Sequence, residues 1–353
     1  MQRVVVLSAF LRPFRSGAEA CAEEVSTRLQ GEFEVRIVTA RLRRDLPKED
    51  MVDGVPVTRV GLGFSADKYL FPLLAPFAAQ RLKPDLIHAV LESYAGLAMI
   101  GCSWLLPRVP RLLTCQSTNT ALLVGAMHRA AIRLTVISRS LVARAAGFGR
   151  RDAVLIPNGI PLSAIRQACA AHPKVPGRLV FVGRLEPMKG IDTLLHAFAA
   201  AHERIPGWSL RIVGDGSERK NLKALTAELG LEGLVTFTGK LDHRAVLKEF
   251  AEAEIFAGLS RSEALGNVFL EAQAAGCAVL GTETGGIPDI VPPGCGTLVP
   301  VDDSVAASGA LISLAEDAAL RSAMAAAAQQ NAAAYDWDAI AARYAAVYRE
   351  MLP

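Results

Sequence analysis

"LVFVGRLEPMKGIDTLLHAF", residues 179–198, restarts a pattern that opens the chain, and this restart decides the fold. A short apolar run, a loop with proline and glycine, and a run of helical spacing read as strand, loop and helix. "VVVLSAFLRPFRSGAEACAEEV" (4–25) has the same parts in the same order. Strand-like runs recur at 35–40, 55–60, 86–90, 111–115, 134–138 and 153–157, before a linker with Pro and Gly, "AHPKVPGR" (171–178). They return at 179–184, 210–216, 235–239, 255–260, 278–283 and 297–300. Continuous apolar strands separated by helices imply parallel sheets covered on both faces. The expected fold class is α/β, with two doubly wound parallel-sheet domains at 1–165 and 175–335. The periodic "AIAARYAAVYREML" (339–352) predicts a final helix, within 336–353, that packs back on the first domain. Ligands of open α/β sheets bind beyond the carboxyl ends of the strands, so two facing domains imply a cleft with a site contributed by both.

The chain has 353 residues, 51% hydrophobic and 21% charged, which suits two packed cores and excludes disorder. Its net charge of +3 conceals an asymmetry. Residues 1–160 hold 21 Lys/Arg against 13 Asp/Glu, or +8; the remainder holds 17 against 22, or −5. The basic half is rich in arginine, with "RLRR" at 41–44 and a scatter from Arg129 to Arg151. An Arg-rich face of this half is expected to touch an anionic acceptor, or an anionic membrane surface that holds the acceptor. No nucleic acid partner is expected. The six cysteines (21, 102, 115, 169, 277, 295) have no zinc spacing and no disulfide framework, so a reducing, cytoplasmic setting is the default. "MQRVVVLSAFLRPF" lacks a small-residue cleavage site and reads as a first strand. "SYAGLAMIGCSWLLP" (93–107) is shorter than the ~20 residues a spanning helix needs and reads as a buried helix.

Two segments of the second half carry the chemistry. "FVGRLEPMKGID" (181–192) ends a strand and presents Arg184 and Lys189 before a helix starting near Ile191. Two cations on such a loop suit a diphosphate, Arg as a planar fork and Lys as a point charge. "SRSEALGNVFLEAQAAG" (260–276) places Glu263 and Glu271 eight positions apart. A fully helical stretch would hold them roughly 12 Å apart, too far for a shared proton or metal. Val268 to Ala275 reads as a helix closed by Gly276, whose starting N–H groups favour an anion between the carboxylates. That arrangement fits an elongated ligand with an anionic middle and hydroxyl-bearing ends, such as a nucleotide sugar. "VGDGSERKNL" (213–222) has Arg219 where a dinucleotide fingerprint needs its third glycine, and reads as a tight turn. "DWD" (336–338) reads as a cap, Asp336 at the N-cap and Asp338 in the first turn, so no metal is expected. His88 closes the strand "PDLIH", and Asn158-Gly159 in "IPNGI" is a turn.

Together these segments resemble family 4 of the retaining glycosyltransferases, which implies the GT-B fold of two Rossmann-like domains. "SGAEACAEEV", "PDLIHA", "VISRSL" and "IPNGI" are similar to its first-domain signatures; "VFVGRLEPMKGIDTLL" and "EALGNVFLEAQAAG" are similar to its two donor motifs, and "GTETGGIPDIV" to the segment that follows them. The resemblance implies a hexosyltransferase of glycan biosynthesis that takes its sugar from a nucleotide diphosphate donor, with no cofactor or metal. It makes the first domain the acceptor side and the second the donor side. Arg184 and Lys189 would neutralise the departing diphosphate, Glu263 would bind the transferred sugar's hydroxyls, and Glu271 the ribose hydroxyls. The N–H groups of Gly266, Asn267 and Val268 would support the phosphates. Gly239, Lys240 and Leu241 would border the base, and Gly17 would approach the donor from the first domain. His88 and Gln116 are acceptor-side candidates. Three positions depart from the family pattern: Ser16-Gly17 replaces a glycine pair, Ala264 a glycine, and Gln116 in "LLTCQSTNT" a histidine. These departures keep a catalytically silent nucleotide-sugar-binding protein in play, beside a nucleotide-sugar epimerase on the same architecture. A nicotinamide oxidoreductase would need an intact G-x-G-x-x-G, which the chain lacks.

Overall fold

The computed structural model describes residues 1–14, 16–118 and 123–352, so Asn119 and Thr120 of "LLTCQSTNT" lie outside the described residues. The chain forms two compact units, Met1–Gly159 with Trp337–Pro353, and Ile160–Asp336. The division precedes residue 165 because the helix Leu162–Ala171 packs on His243–Glu252 and Asn267–Ala274 of the second unit.

The first unit's sheet contains β1 (Arg3–Leu7), β2 (Glu34–Ala40), β3 (Glu49–Val52), β4 (Val55–Val60), β5 (Leu86–Val90), β6 (Arg111–Cys115), β7 (Arg133–Val136) and β8 (Val154–Leu155). Their order is β3-β4-β2-β1-β5-β6-β7-β8. All neighbours run parallel except β3, which pairs antiparallel with β4. The expectation of a wholly parallel sheet is thus corrected at one edge: Asp53-Gly54, both at positive φ, turns a hairpin there. Strand β1 is fully interior, with Val5 beside Arg36 on β2 and Val6 beside His88 on β5.

The helix Trp337–Met351 packs on the helix Gly17–Leu29 and closes this unit's core with Trp337, Tyr344 and Tyr348. Asp336 directly precedes that helix; Asp338, in its first turn, pairs with Arg28 at 2.5 Å. Under the helix lies His88, 1% exposed, its Nδ1 2.7 Å from the Tyr348 hydroxyl and its Nε2 2.7 Å from Thr114 Oγ1. Both ring nitrogens are engaged in the core, which corrects the expectation that His88 faces an acceptor. Burial pushes its pKa down to about 3. A histidine neutral in the fold but titrating near 6.5 when unfolded leaves stability intact above that pH and removes it as the pH falls toward 3. The slope is about 1.4 kcal/mol per pH unit. Denaturant melts of wild type and His88→Gln between pH 7 and 4 should show the variant's stability falling less steeply; parallel profiles would refute the assignment.

The second unit's sheet contains β9 (Arg178–Val182), β10 (Ser209–Val213), β11 (Val235–Gly239), β12 (Ile255–Gly258), β13 (Ala278–Thr282) and β14 (Thr297–Val299). It is parallel throughout, in the order β11-β10-β9-β12-β13-β14. Leu179, Phe181, Leu194, Phe198, Ile212 and Leu280 pack its core. This is the doubly wound order that reverses between the first and fourth strands, here β9 and β12.

Candidate active site

The crevice at such a reversal lies beyond the carboxyl ends of its two strands. Strand β9 runs into Gly183–Gly190 and β12 into Leu259–Gly266, so these two loops meet at the same point of the sheet. A short 3₁₀ turn, Pro187–Lys189, leads into the helix Ile191–Ala201 and aims Lys189 across the gap. Its Nζ lies 2.5 Å from Glu263 Oε2, with both side chains mostly buried.

Arg261 joins the two loops. Its backbone N–H donates to Met188 O at 2.8 Å, and its guanidinium donates to Pro187 O. The same guanidinium grips Asp192 at 2.7 and 3.0 Å and reaches Asp302 at 2.7 Å. Burial pushes the Asp192 carboxyl up, but the Arg261 guanidinium and backbone N–H groups together outweigh it and hold the carboxyl below its usual range. Sequence reasoning missed Arg261, although it lies in the quoted "SRSE". The available signal was acidic partners at 192 and 302, which only the fold makes neighbours.

Glu263 is fixed through its backbone as well. Gly286 N–H donates to Glu263 O at 3.1 Å, and a Cβ on Gly285 (φ +57°) would sit 1.8 Å from that oxygen. Only glycine allows this approach. Glu263 lies in a loop and Glu271 on the helix Asn267–Ala274, so the fully helical spacing does not apply. Gly266 (φ +95°) turns the chain into that helix, whose first turn begins with Asn267 and Val268. Glu271, half-buried, stands one turn further on.

Arg184 is exposed and, among the described residues, has no ion-pair partner. Gly239 (φ +75°), Lys240 and Leu241 leave β11 beside Gly214, whose N–H donates to Gly239 O at 3.0 Å. The G-x-G of "VGDGSERKNL" serves packing: a Cβ on Gly214 would meet Gly183 O at 1.8 Å, and one on Gly216 Leu185 O at 2.4 Å.

In the first unit, Gly17 begins the helix Gly17–Leu29 after Ser16, whose N–H donates to Glu19 Oε2 at 2.8 Å. Buried Glu23 braces the loop after β1, accepting from Arg12 N at 2.9 Å and Arg12 Nε at 2.7 Å. Gln116, 8% exposed, follows β6; its Oε1 accepts from Asn158 Nδ2 at 3.0 Å and its backbone N–H donates to Glu92 Oε2 at 3.0 Å. Glu92, unseen in the sequence, also faces Arg144 at 3.1 Å and His128 Nε2 at 3.3 Å. Glu92, Cys115 and His128 are close enough to share a cation. Arg144 already neutralises the carboxylate, and burial pushes the Cys115 thiol far up, so the cluster reads as a hydrogen-bonded brace for Gln116.

Several arginines of the basic half face carboxylates of their own unit: Arg3–Glu34, Arg12–Glu23, Arg28–Glu24, Arg59–Asp50, Arg144–Glu92 and Arg150–Asp152. Arg111 donates to backbone carbonyls. Part of the Arg bias therefore serves internal pairing within the unit.

Residues 168–331 match the family model "Glycosyl transferases group 1", and residues 15–164 match "Glycosyltransferase Family 4". A phosphatidyl-myo-inositol mannosyltransferase of Mycolicibacterium smegmatis is 34% identical over 203 residues, 56% of this chain and 52% of the relative. A D-inositol 3-phosphate glycosyltransferase of Corynebacterium urealyticum is 38% identical over 201 residues, 55% of this chain and 45% of the relative. The chain thus spans about half the length of these curated relatives. Among solved structures, the fold is similar to sucrose-phosphate synthase from Thermosynechococcus elongatus (TM-score 0.84, 22% identity, 99% of both chains). It is also similar to Anabaena HepE in complex with UDP (TM-score 0.78, 21% identity, 99% of this chain and 100% of that one).

Proposed function

The chain belongs to glycosyltransferase family 4, and we propose that it moves a sugar from a nucleotide diphosphate donor to an acceptor hydroxyl, retaining the configuration at the anomeric carbon. The observation that carries this reading is the meeting of Lys189 and Glu263 at the reversal point of the second sheet, in loops bound together by Arg261. Arg184, Lys189 and the helix start at Gly266–Val268 supply positive field where a diphosphate would leave. Glu263 takes hydroxyls of the transferred sugar and Glu271 the ribose; Gly239, Lys240 and Leu241 border the base. Neither glutamate acts as a nucleophile. Attack comes from the face the diphosphate leaves, the departing phosphate accepts the acceptor's proton, and the protein supplies position and charge. Gln116 offers the acceptor side a neutral amide. An anionic acceptor fits the +8 charge of residues 1–160 and the relatives' names, which contain phosphatidyl-myo-inositol and D-inositol 3-phosphate.

Incubation with UDP-glucose and GDP-mannose, read as release of nucleoside diphosphate, tests the reading. Thermal stabilisation by a donor without release of any product would instead make the chain a binding protein. Return of the donor as its epimer would make it an epimerase. The positive field of Arg184 and Lys189 also predicts turnover that survives excess EDTA. Activity lost to EDTA and restored by Mg²⁺ or Mn²⁺ would remove the metal-independent mechanism.

A further inference from the structure

The helix Asp67–Arg81 is apolar on both sides. Phe71, Ala75 and Ala79 are fully buried against the body of the first unit, where the helix packs on Tyr94–Leu105. The opposite side carries Tyr69 (62% exposed), Leu73 (67%) and Phe77 (53%) at i, i+4 and i+8, flanked by exposed Leu70 and Leu74. Leu62 and Phe64, also exposed, precede the helix. Tyr69 meets Tyr94 edge-on at 5.6 Å, and Gly101 abuts Pro76, so the two helices run alongside in one direction. Trp104, three residues beyond Gly101, therefore lies level with the Arg81 end of that helix and is 82% exposed. Contiguous apolar surface of this kind marks an interaction site.

The charges around it are basic. Arg44 stacks over the Phe64 ring at 4.4 Å and Lys68 over Tyr69 at 5.1 Å. Lys48 and Arg81 line a shallow depression with Leu74 and Phe77, in which Glu49 is held to the Thr58 hydroxyl. Asp67, the acid of this helix, is buried and accepts from Gly63 and Phe64 N–H groups, so it adds no exposed negative charge. Such a face suits an anionic partner. A two-fold pairing of copies would set each basic rim against itself. An apolar helix side with cations, Tyr and Trp at its margins matches the boundary between lipid headgroups and acyl chains.

We propose that the outer side of Asp67–Arg81, with Trp104, docks the chain on an anionic lipid bilayer, the aliphatic and aromatic side chains entering the headgroup boundary and the cations meeting acidic headgroups. No helix among the described residues is long and apolar enough to cross a membrane. The inference deepens the anionic-acceptor reading, while docking itself needs no sugar nucleotide.

Cosedimentation with vesicles of phosphatidylcholine, with and without phosphatidylserine, tests it. Binding should require phosphatidylserine and weaken as salt rises, because exposed charges are screened over about 8 Å at physiological ionic strength. The double variant Leu73→Ser, Phe77→Ser should bind about tenfold more weakly or worse. Lys68→Gln and Arg81→Gln should each cost about fivefold. All should keep wild-type melting temperatures and nucleoside diphosphate affinity, and Arg184→Ala should bind vesicles like wild type. The proposal is overturned by equal binding to both vesicle types, or by wild-type binding of the double variant. It is also overturned if lipid-free sedimentation shows a dimer that the double variant breaks while wild type ignores vesicles.

Discussion

Arg184→Ala is expected to weaken nucleoside diphosphate binding by about 1.5–3 kcal/mol, roughly 10- to 150-fold, and to leave the melting temperature unchanged. The two halves of that expectation have separate causes. Arg184 is exposed and has no ion-pair partner among the described residues, so its removal strands no buried charge. It stands directly after Gly183 at the end of β9, where a diphosphate at the sheet reversal would need charge-assisted hydrogen bonds. Glu271→Gln, isosteric but uncharged, is expected to cost a similar amount through the ribose. Titration calorimetry with UDP and GDP measures both. Unchanged affinity in both variants would remove the site assignment.

Gly285→Ala should have the larger effect, on turnover and on stability together. A Cβ at φ +57° carries a conformational cost of about 1–2 kcal/mol. In addition it would sit 1.8 Å from the Glu263 carbonyl oxygen, so one backbone segment must move. Displacing Glu263 by an ångström is enough for a loss of about 10²-fold in rate. Gly230→Ala provides the control, since Gly230 has φ +68° with no atom near its Cβ position. It shares the conformational strain without the collision. If both variants lose the same stability and the same activity, the Gly285 contact does not set the position of Glu263.

Parts of the molecule were legible because their physics is local. Strands β9 to β14 announce themselves as apolar runs between helices, since a strand buried on both faces tolerates few polar residues. Gly266 and Gly276 bracket the helix Asn267–Ala274 within a residue of expectation, because caps are local backbone chemistry. Strand β3 escaped notice: "EDMV" is an exposed edge strand with two acids, and only the Asp53-Gly54 turn betrayed its hairpin.

What the sequence determined by itself was the class of architecture, the second unit's cationic loop and its two spaced glutamates, and the family they mark. Those depend on periodicity and on residue types at short range. The tertiary structure alone decided which side chains meet. His88 became a core residue because a helix some 260 positions later covers it with Tyr348. Arg261 became the clasp of the site because the sheet order brings 187–192, 261 and 302 together. Several arginines of the basic half came to lie beside carboxylates that only folding brings near, while the helix Asp67–Arg81 kept an apolar side in the open. Contact and exposure are properties of the packed chain, and long-range neighbours leave no mark on local spacing.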